Sequence, residues 1–185
     1  MNQFRAGSAV AACPLFQTEG GGAIPTSALQ LEVKRCDKRL AVELNRRWHS
    51  RLPEIGNWQA CDAFLCEYSE YIFAVALWSK PVSISLNGRN WYELRRMAVS
   101  DDAPKNTPSR FLSLMTRMIR TEHPDIVKLI SYQDTGVHSG IIYKASGWIP
   151  ASVSRDASWN RPNQGRFRSG PQAPTPKVRW EKDLS

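Results

Sequence analysis

One long amphipathic segment between two β-like runs constrains this chain more than any other feature. In RFLSLMTRMIRTEH, Phe111, Leu112, Met115, Met118 and Ile119 fall on a single apolar stripe, Ser109 stands where a cap belongs, and Pro124 ends the run. WYELRRMAVS precedes it and IVKLISY follows it, each with the branched and aromatic composition of a strand. A strand, a crossover helix and a second strand close with the two strands parallel.

The flanking segments extend this unit. LQLEVKRC (29–36) alternates as a first strand, and Asp37 is placed to cap a helix reaching about Arg47, with Leu40 and Leu44 on its inner face. FLCEY and IFAVALW form a hairpin turned by Ser69–Glu70. Beyond the long helix, SYQDTGVHSGIIYKASGW reads as a strand, a polar turn and one amphipathic helix. That helix offers Ile141, Ile142 and Ala145 to the core, and Gly147 ends it. The order predicts an α/β (α+β) domain, a mixed sheet flanked by helices. Residues 1–28, with Gly20, Gly21 and Gly22, read as a flexible arm, and 29–150 as the domain. Residues 151–185 read as a basic extension in which Lys177–Trp180 returns as an edge strand.

Composition narrows the classes of function. The 185 residues suffice for one domain with extensions, no run of 18 apolar residues offers a membrane span, and the N-terminus has no secretory pattern. A net charge of +8 favours polyanionic partners, nucleic acid or a phosphate-bearing cofactor. Cys13, Cys36, Cys61 and Cys66 contain no C-x-x-C pair, so reduced thiols in a cytoplasmic protein are expected.

The chemistry-bearing residues cluster at strand ends. The loop 100–109 delivers a strand to a helix N-terminus, where free N–H groups and the helix dipole favour an anion. Val99, Lys105, Asn106 and Ser109 are its candidate cofactor-binding residues, although without glycine the loop is no phosphate-binding fingerprint. Asp134 lies past the end of a strand, where open sheets place ligand-binding groups, and is equally suited to stabilising its own turn. Tyr143 offers a phenol able to protonate a leaving group, or simply a packed ring. His49 and His138, with Asp134, have the ligand types of an iron or other divalent-metal site. Arg95 and Arg96 must face opposite ways in a strand; Glu93 shares the face of Arg95, leaving Arg96 as the candidate for the functional face.

These motifs together resemble the phage Mu Mom family of DNA-modifying proteins, a branch of the GNAT acyltransferase superfamily, over about residues 29–150. The residues that carry the likeness are Trp48 and His49; Glu93, Leu94 and Arg96; Pro108 and Ser109; Ser131, Asp134 and His138; Ile142, Tyr143, Ala145, Gly147 and Trp148. The resemblance implies a GNAT-like, mostly antiparallel sheet. It implies conversion of the exocyclic amine of adenine in double-stranded DNA to a carbamoylmethylated form that blocks restriction endonucleases. It places candidate roles on His49, Arg96, Ser109, Asp134 and Tyr143, with acetyl-CoA or another acyl or carbamoylmethyl donor, in the cytoplasm of a bacterial host carrying a phage or prophage. The Q/R-x-x-G-x-G/A pyrophosphate motif of ordinary GNAT enzymes is missing. A basic stretch after Arg155, interleaved with Trp159 and Phe167, suits phosphate contacts, and Trp48, Trp58, Tyr68 and Trp148 are candidate base-stacking partners. Two other classes compete. One is an ordinary N-acyltransferase for a small amine or a protein; the other is a DNA-binding module on a degenerate scaffold.

Overall fold

The computed structural model describes residues 5–6, 24–49, 62–86, 88–154 and 175–185. Cys13, Trp58, Cys61 and the basic stretch with Trp159 and Phe167 lie outside the described residues. The elements are β1 (Arg5–Ala6), β2 (Glu32–Arg35), α1 (Lys38–Trp48), β3 (Asp62–Tyr68), β4 (Tyr71–Ser79) and β5 (Trp91–Val99). They continue with α2 (Thr107–Glu122), β6 (Lys128–Asp134), α3 (Ile141–Ala145), β7 (Ile149–Ser154) and β8 (Lys177–Asp183). The strands form one sheet in the order β2-β3-β4-β5-β6-β8-β7, with β1 beside the start of β4. Pairing is antiparallel except between β1 and β4 and, across α2, between β5 and β6.

Local chemistry explains most of the elements. The Asp37 carboxylate accepts from the Arg39 N–H at 2.7 Å and starts α1. Ser69 and Glu70 both adopt positive φ, the turn that two right-twisted antiparallel strands require. Residues 63–66 of β3 and 72–78 of β4 are continuous apolar runs because both faces of these strands are covered. On one side Phe64, Ala76 and Trp78 pack with Phe111, Leu112, Met115 and Ile119 of α2. On the other, Leu65, Val75 and Leu77 pack with Ala41 and Leu44 of α1.

Three expectations are corrected. Ser109 does not cap α2. Pro108, favoured in a first turn, fixes the start earlier, so Asn106 is the N-cap and the Ser109 hydroxyl bonds to the Asn106 carbonyl at 3.0 Å. Ile141 is 66% exposed and Ala145 is exposed, while Tyr143 fills the core position. α3 has only five residues, and the partner that selects its buried side chain is Trp180, stacked on Tyr143 at 5.2 Å. Finally, β8 is interior and β7 is the edge. β7 is exposed along its whole length and begins Ile149–Pro150, so it lacks the alternation that marks a half-buried strand.

Candidate active site

The parallel pair β5–β6 parts halfway up. Pairing runs from Trp91/Lys128 to Leu94/Ser131, yet β5 continues to Val99 and β6 to Asp134. Above that point the sheet has a window between the two strands. On the β4 side of β5 a bulge sets Leu77 opposite Arg96 and Trp78 opposite Leu94, leaving Arg95 as the extra residue. Directly opposed residues share a face, so Leu94 joins the α2-side core while Arg96 sides with Leu77 beneath α1. Arg95 pairs with Glu93 at 3.4 Å.

His49 is the C-cap of α1, its N–H held by the Asn45 carbonyl at 2.8 Å. Its imidazole pKa is lowered to about 4, first by burial, then by the nearby charge of Arg96 and by His138. It is therefore a neutral base at pH 7, in the company of an arginine and a second histidine. Burial, followed by Arg95, also lowers the pKa of Arg96, with Glu93 opposing. One Arg96 Nη donates to the Arg95 carbonyl at 2.7 Å.

The pleat of β6 sorts the remaining candidates. Leu129, Ser131 and Gln133 face the α2–α3 side, so Tyr132 and Asp134 face the side of α1. Asp134 builds its own turn: Oδ1 accepts from Gly136 N–H at 3.0 Å, and its carbonyl accepts from His138 N–H at 3.0 Å. That turn carries His138 toward His49. Tyr143 lies on the opposite face, buried, with its hydroxyl 2.8 Å from that of Ser131, the last residue of β6 paired to β5. Burial raises the phenol pKa, and the Ser131 bond opposes it. The structure thus groups His49, Arg96 and His138 and places Tyr143 across the sheet at the foot of the window. Among the described residues no three His, Cys, Asp or Glu side chains lie close enough to hold a metal ion. His49, His138 and Asp134 do not form the metal site that their residue types allowed. His138 stands four residues beyond Asp134, and that spacing, a single turn closed by its N–H on the Asp134 carbonyl, is the sequence signal that it belongs beside the base.

On the other side, a groove of about 470 Å³ at the start of α2 is lined by Lys105, Asn106, Ser109, Arg110, Ser113 and Arg117 among others. Val99, at the end of β5, packs half-buried against the same core. The backbone contributes little here. Thr107 N–H bonds to the Pro104 carbonyl, Pro108 has no N–H, and Arg110 N–H bonds to the Asn106 carbonyl. Positive charge in the groove comes from side chains, which fits the phosphate end of a donor without a glycine-rich cradle.

A family model described as the Mom protein family matches residues 30–167. The chain belongs to that family. A 68-residue stretch is 32% identical to the methylcarbamoylase mom of Escherichia phage Mu; it covers 36% of this chain and 28% of that protein's length. The fold matches the ribosomal-protein-S18-alanine N-acetyltransferase of Escherichia coli with a TM-score of 0.60 at 12% identity, over 84% of this chain and 94% of that one. A Bacillus subtilis acetyltransferase solved in complex with CoA matches with a TM-score of 0.51 at 13% identity, over 84% and 99%. The fold of this Mom-family chain is therefore that of GNAT acetyltransferases. Its motif residues map onto the window: Arg96 on one strand, Ser131 and Asp134 on the other, and Pro108 and Ser109 at the head of the helix between them.

Proposed function

We propose that this chain is a group-transfer enzyme that places a carbamoylmethyl-type group on the exocyclic amine of adenine in double-stranded DNA, protecting phage DNA from restriction. The observation that carries the reading is a neutral imidazole, His49, beside Arg96 at the window of a Mom-family fold. The match to a protein named a methylcarbamoylase supports the same chemistry.

The adenine amine is conjugated with its ring and paired within the duplex, so the base must be extruded, at a cost of about a few kcal/mol. The extruded base enters from the α1 side. As an N–C bond replaces an N–H bond, the proton departs to His49, and Arg96 steadies the carbonyl or anionic group beside the reacting carbon. Asp134 accepts a hydrogen bond from the amine or helps remove its proton. The Ser131–Tyr143 hydroxyl pair returns a proton to the leaving group from the far side of the window. Lys105, Asn106, Ser109 and the Val99 end of β5 hold the donor, a carrier of the carbamoylmethyl group; acetyl-CoA or another acyl carrier in the same place would leave an N-acyl group on the amine instead. When bound, that donor supplies the electrophilic carbon.

Nucleosides from cells expressing the protein, analysed by mass spectrometry, test this. The expected result is a mass-shifted deoxyadenosine that disappears in a His49→Ala strain. Unaltered nucleosides in the presence of soluble protein reject it. The fold shared with N-acetyltransferases favours a second reading, an acyl-CoA-dependent N-acyltransferase of a small amine or a protein. Tight acetyl-CoA binding without salt-dependent duplex affinity would select that reading.

A further inference from the structure

On the α1 side of the sheet, the helix packs chiefly on β3, β4 and β5. At the lower end of β5 and β6 three cations converge on one indole, Arg179 reaching it from the β8 position opposite Tyr132. Lys128 Nζ lies 4.9 Å from the Trp91 ring centre, Arg89 5.3 Å and Arg179 5.7 Å. Two carboxylates serve them: Glu181 takes Lys128 at 2.7 Å and Arg179 at 2.8 Å, and Asp183 takes Lys128 at 3.2 Å. Arg89 is exposed and has no carboxylate partner among the described residues. Glu181 and Asp183 balance Lys128 and Arg179, so Arg89, held on the aromatic face, is the positive charge in excess that an outside anion can meet.

We propose that this cluster docks the phosphate backbone of the DNA duplex whose adenine enters the His49–Arg96 site. The inference rests on the reading of adenine in DNA as the substrate. Arg96 lies five residue steps along β5 from Trp91, about 17 Å at the rise of a strand. Phosphates of one duplex strand recur about every 3.4 Å of helix axis, so the cluster meets the backbone about five base pairs from the extruded base. Arg89 stands exposed at the rim of this cluster and leaves it one positive charge in excess, which suits contact with a polyanion passing over the surface. Arg95 and Tyr132 lie between the two ends, and the exposed Tyr132 extends the aromatic surface toward the window.

The test is duplex binding by the full chain, followed by anisotropy from about 50 to 200 mM salt, for wild type, Arg89→Glu and the Arg89→Ala/Lys128→Ala double variant. One duplex carries about eight base pairs on each side of the target adenine; another ends about three base pairs from it. Each lost phosphate contact should make the slope of log affinity against log salt shallower by about 0.9, on the long duplex only. Unchanged slopes with wild-type binding and base modification intact overturn the docking surface and leave the adenine reading standing. A wild-type protein that neither binds duplex nor alters nucleosides overturns both. Loss of affinity confined to an A-form RNA duplex or to anionic phosphatidylserine vesicles also overturns the proposal. Thermal melting of the variants confirms that they are folded, and Arg89→Glu, at an exposed position, supplies the readout if the double variant is not.

Discussion

The two ends of β5 handle charge in opposite ways. At the lower end, on the α2 side, signs alternate. Arg35 bridges Asp62 and Glu122, and Asp62 also accepts from Tyr92 and meets His123 Nε2, each at 2.8 Å. Burial alone would raise the Asp62 pKa, but the hydrogen bonds from Arg35 and Tyr92 outweigh it and hold the carboxyl low. At the window the signs repeat: Arg96, His49 and His138 crowd together, and His49 stays neutral first because it is buried and then because Arg96 lies near it. Complementary charges contribute stability, whereas like charges forced together store reactivity at the expense of stability. The lower network is a clamp, and the window is where chemistry is expected.

His49→Ala gives the sharpest test of that contrast. The modification rate should fall on the order of 10²–10⁴-fold, with the urea midpoint unchanged or raised. Undiminished modification would break the contrast. Asp62→Ala should do the reverse, costing about 2 kcal/mol in chemical denaturation by leaving Arg35, Tyr92 and His123 short of an acceptor. Its rate per folded molecule should not change. Tyr143→Phe probes the boundary between the two regimes. It should cost about 1 kcal/mol of stability by orphaning the buried Ser131 hydroxyl, and adding Ser131→Ala should cost little more. A rate loss in Tyr143→Phe beyond its stability loss would assign the phenol to the window chemistry.

The smallest expected effect is on pH. The folded pKa of His49 lies below its unfolded value, so the unfolded chain binds the proton more readily. The stability linked to neutral His49 is full above about 6.5 and is lost as pH falls toward 4. The unfolding midpoint of His49→Ala should therefore gain on wild type across that window. The rate profile of wild type should lack the inflection near 6.5 that an ordinary histidine gives.

Much of the architecture was readable because its causes are local. The Asp37 cap, the positive-φ turn at Ser69–Glu70, the left-handed Gly147 and the stripe on α2 each act within a few residues. Taking Ser109 as the cap puts the α2 start three residues late, because Pro108 outweighs Ser109. β7 was missed because an exposed edge strand imposes no apolar period. Gly140 shows how the α3 end is set from afar: a Cβ there would lie 2.7 Å from both Gln133 Oε1 and Trp180 Cζ2, and its φ is +74°. No local pattern names those neighbours.

The sequence by itself determined the helices, most of the strands and the parallel crossover, since periodicity, caps and proline act through the backbone within a turn or two. Tertiary structure alone decided that β8 lies inside the sheet, that the bulge at Arg95 turns Arg96 beneath α1, and that His49 meets Arg96 and His138 while Tyr143 stays across the sheet. Those outcomes depend on strand register and on burial against distant segments. A one-residue change of register moves a side chain to the other face without altering the composition from which it was read.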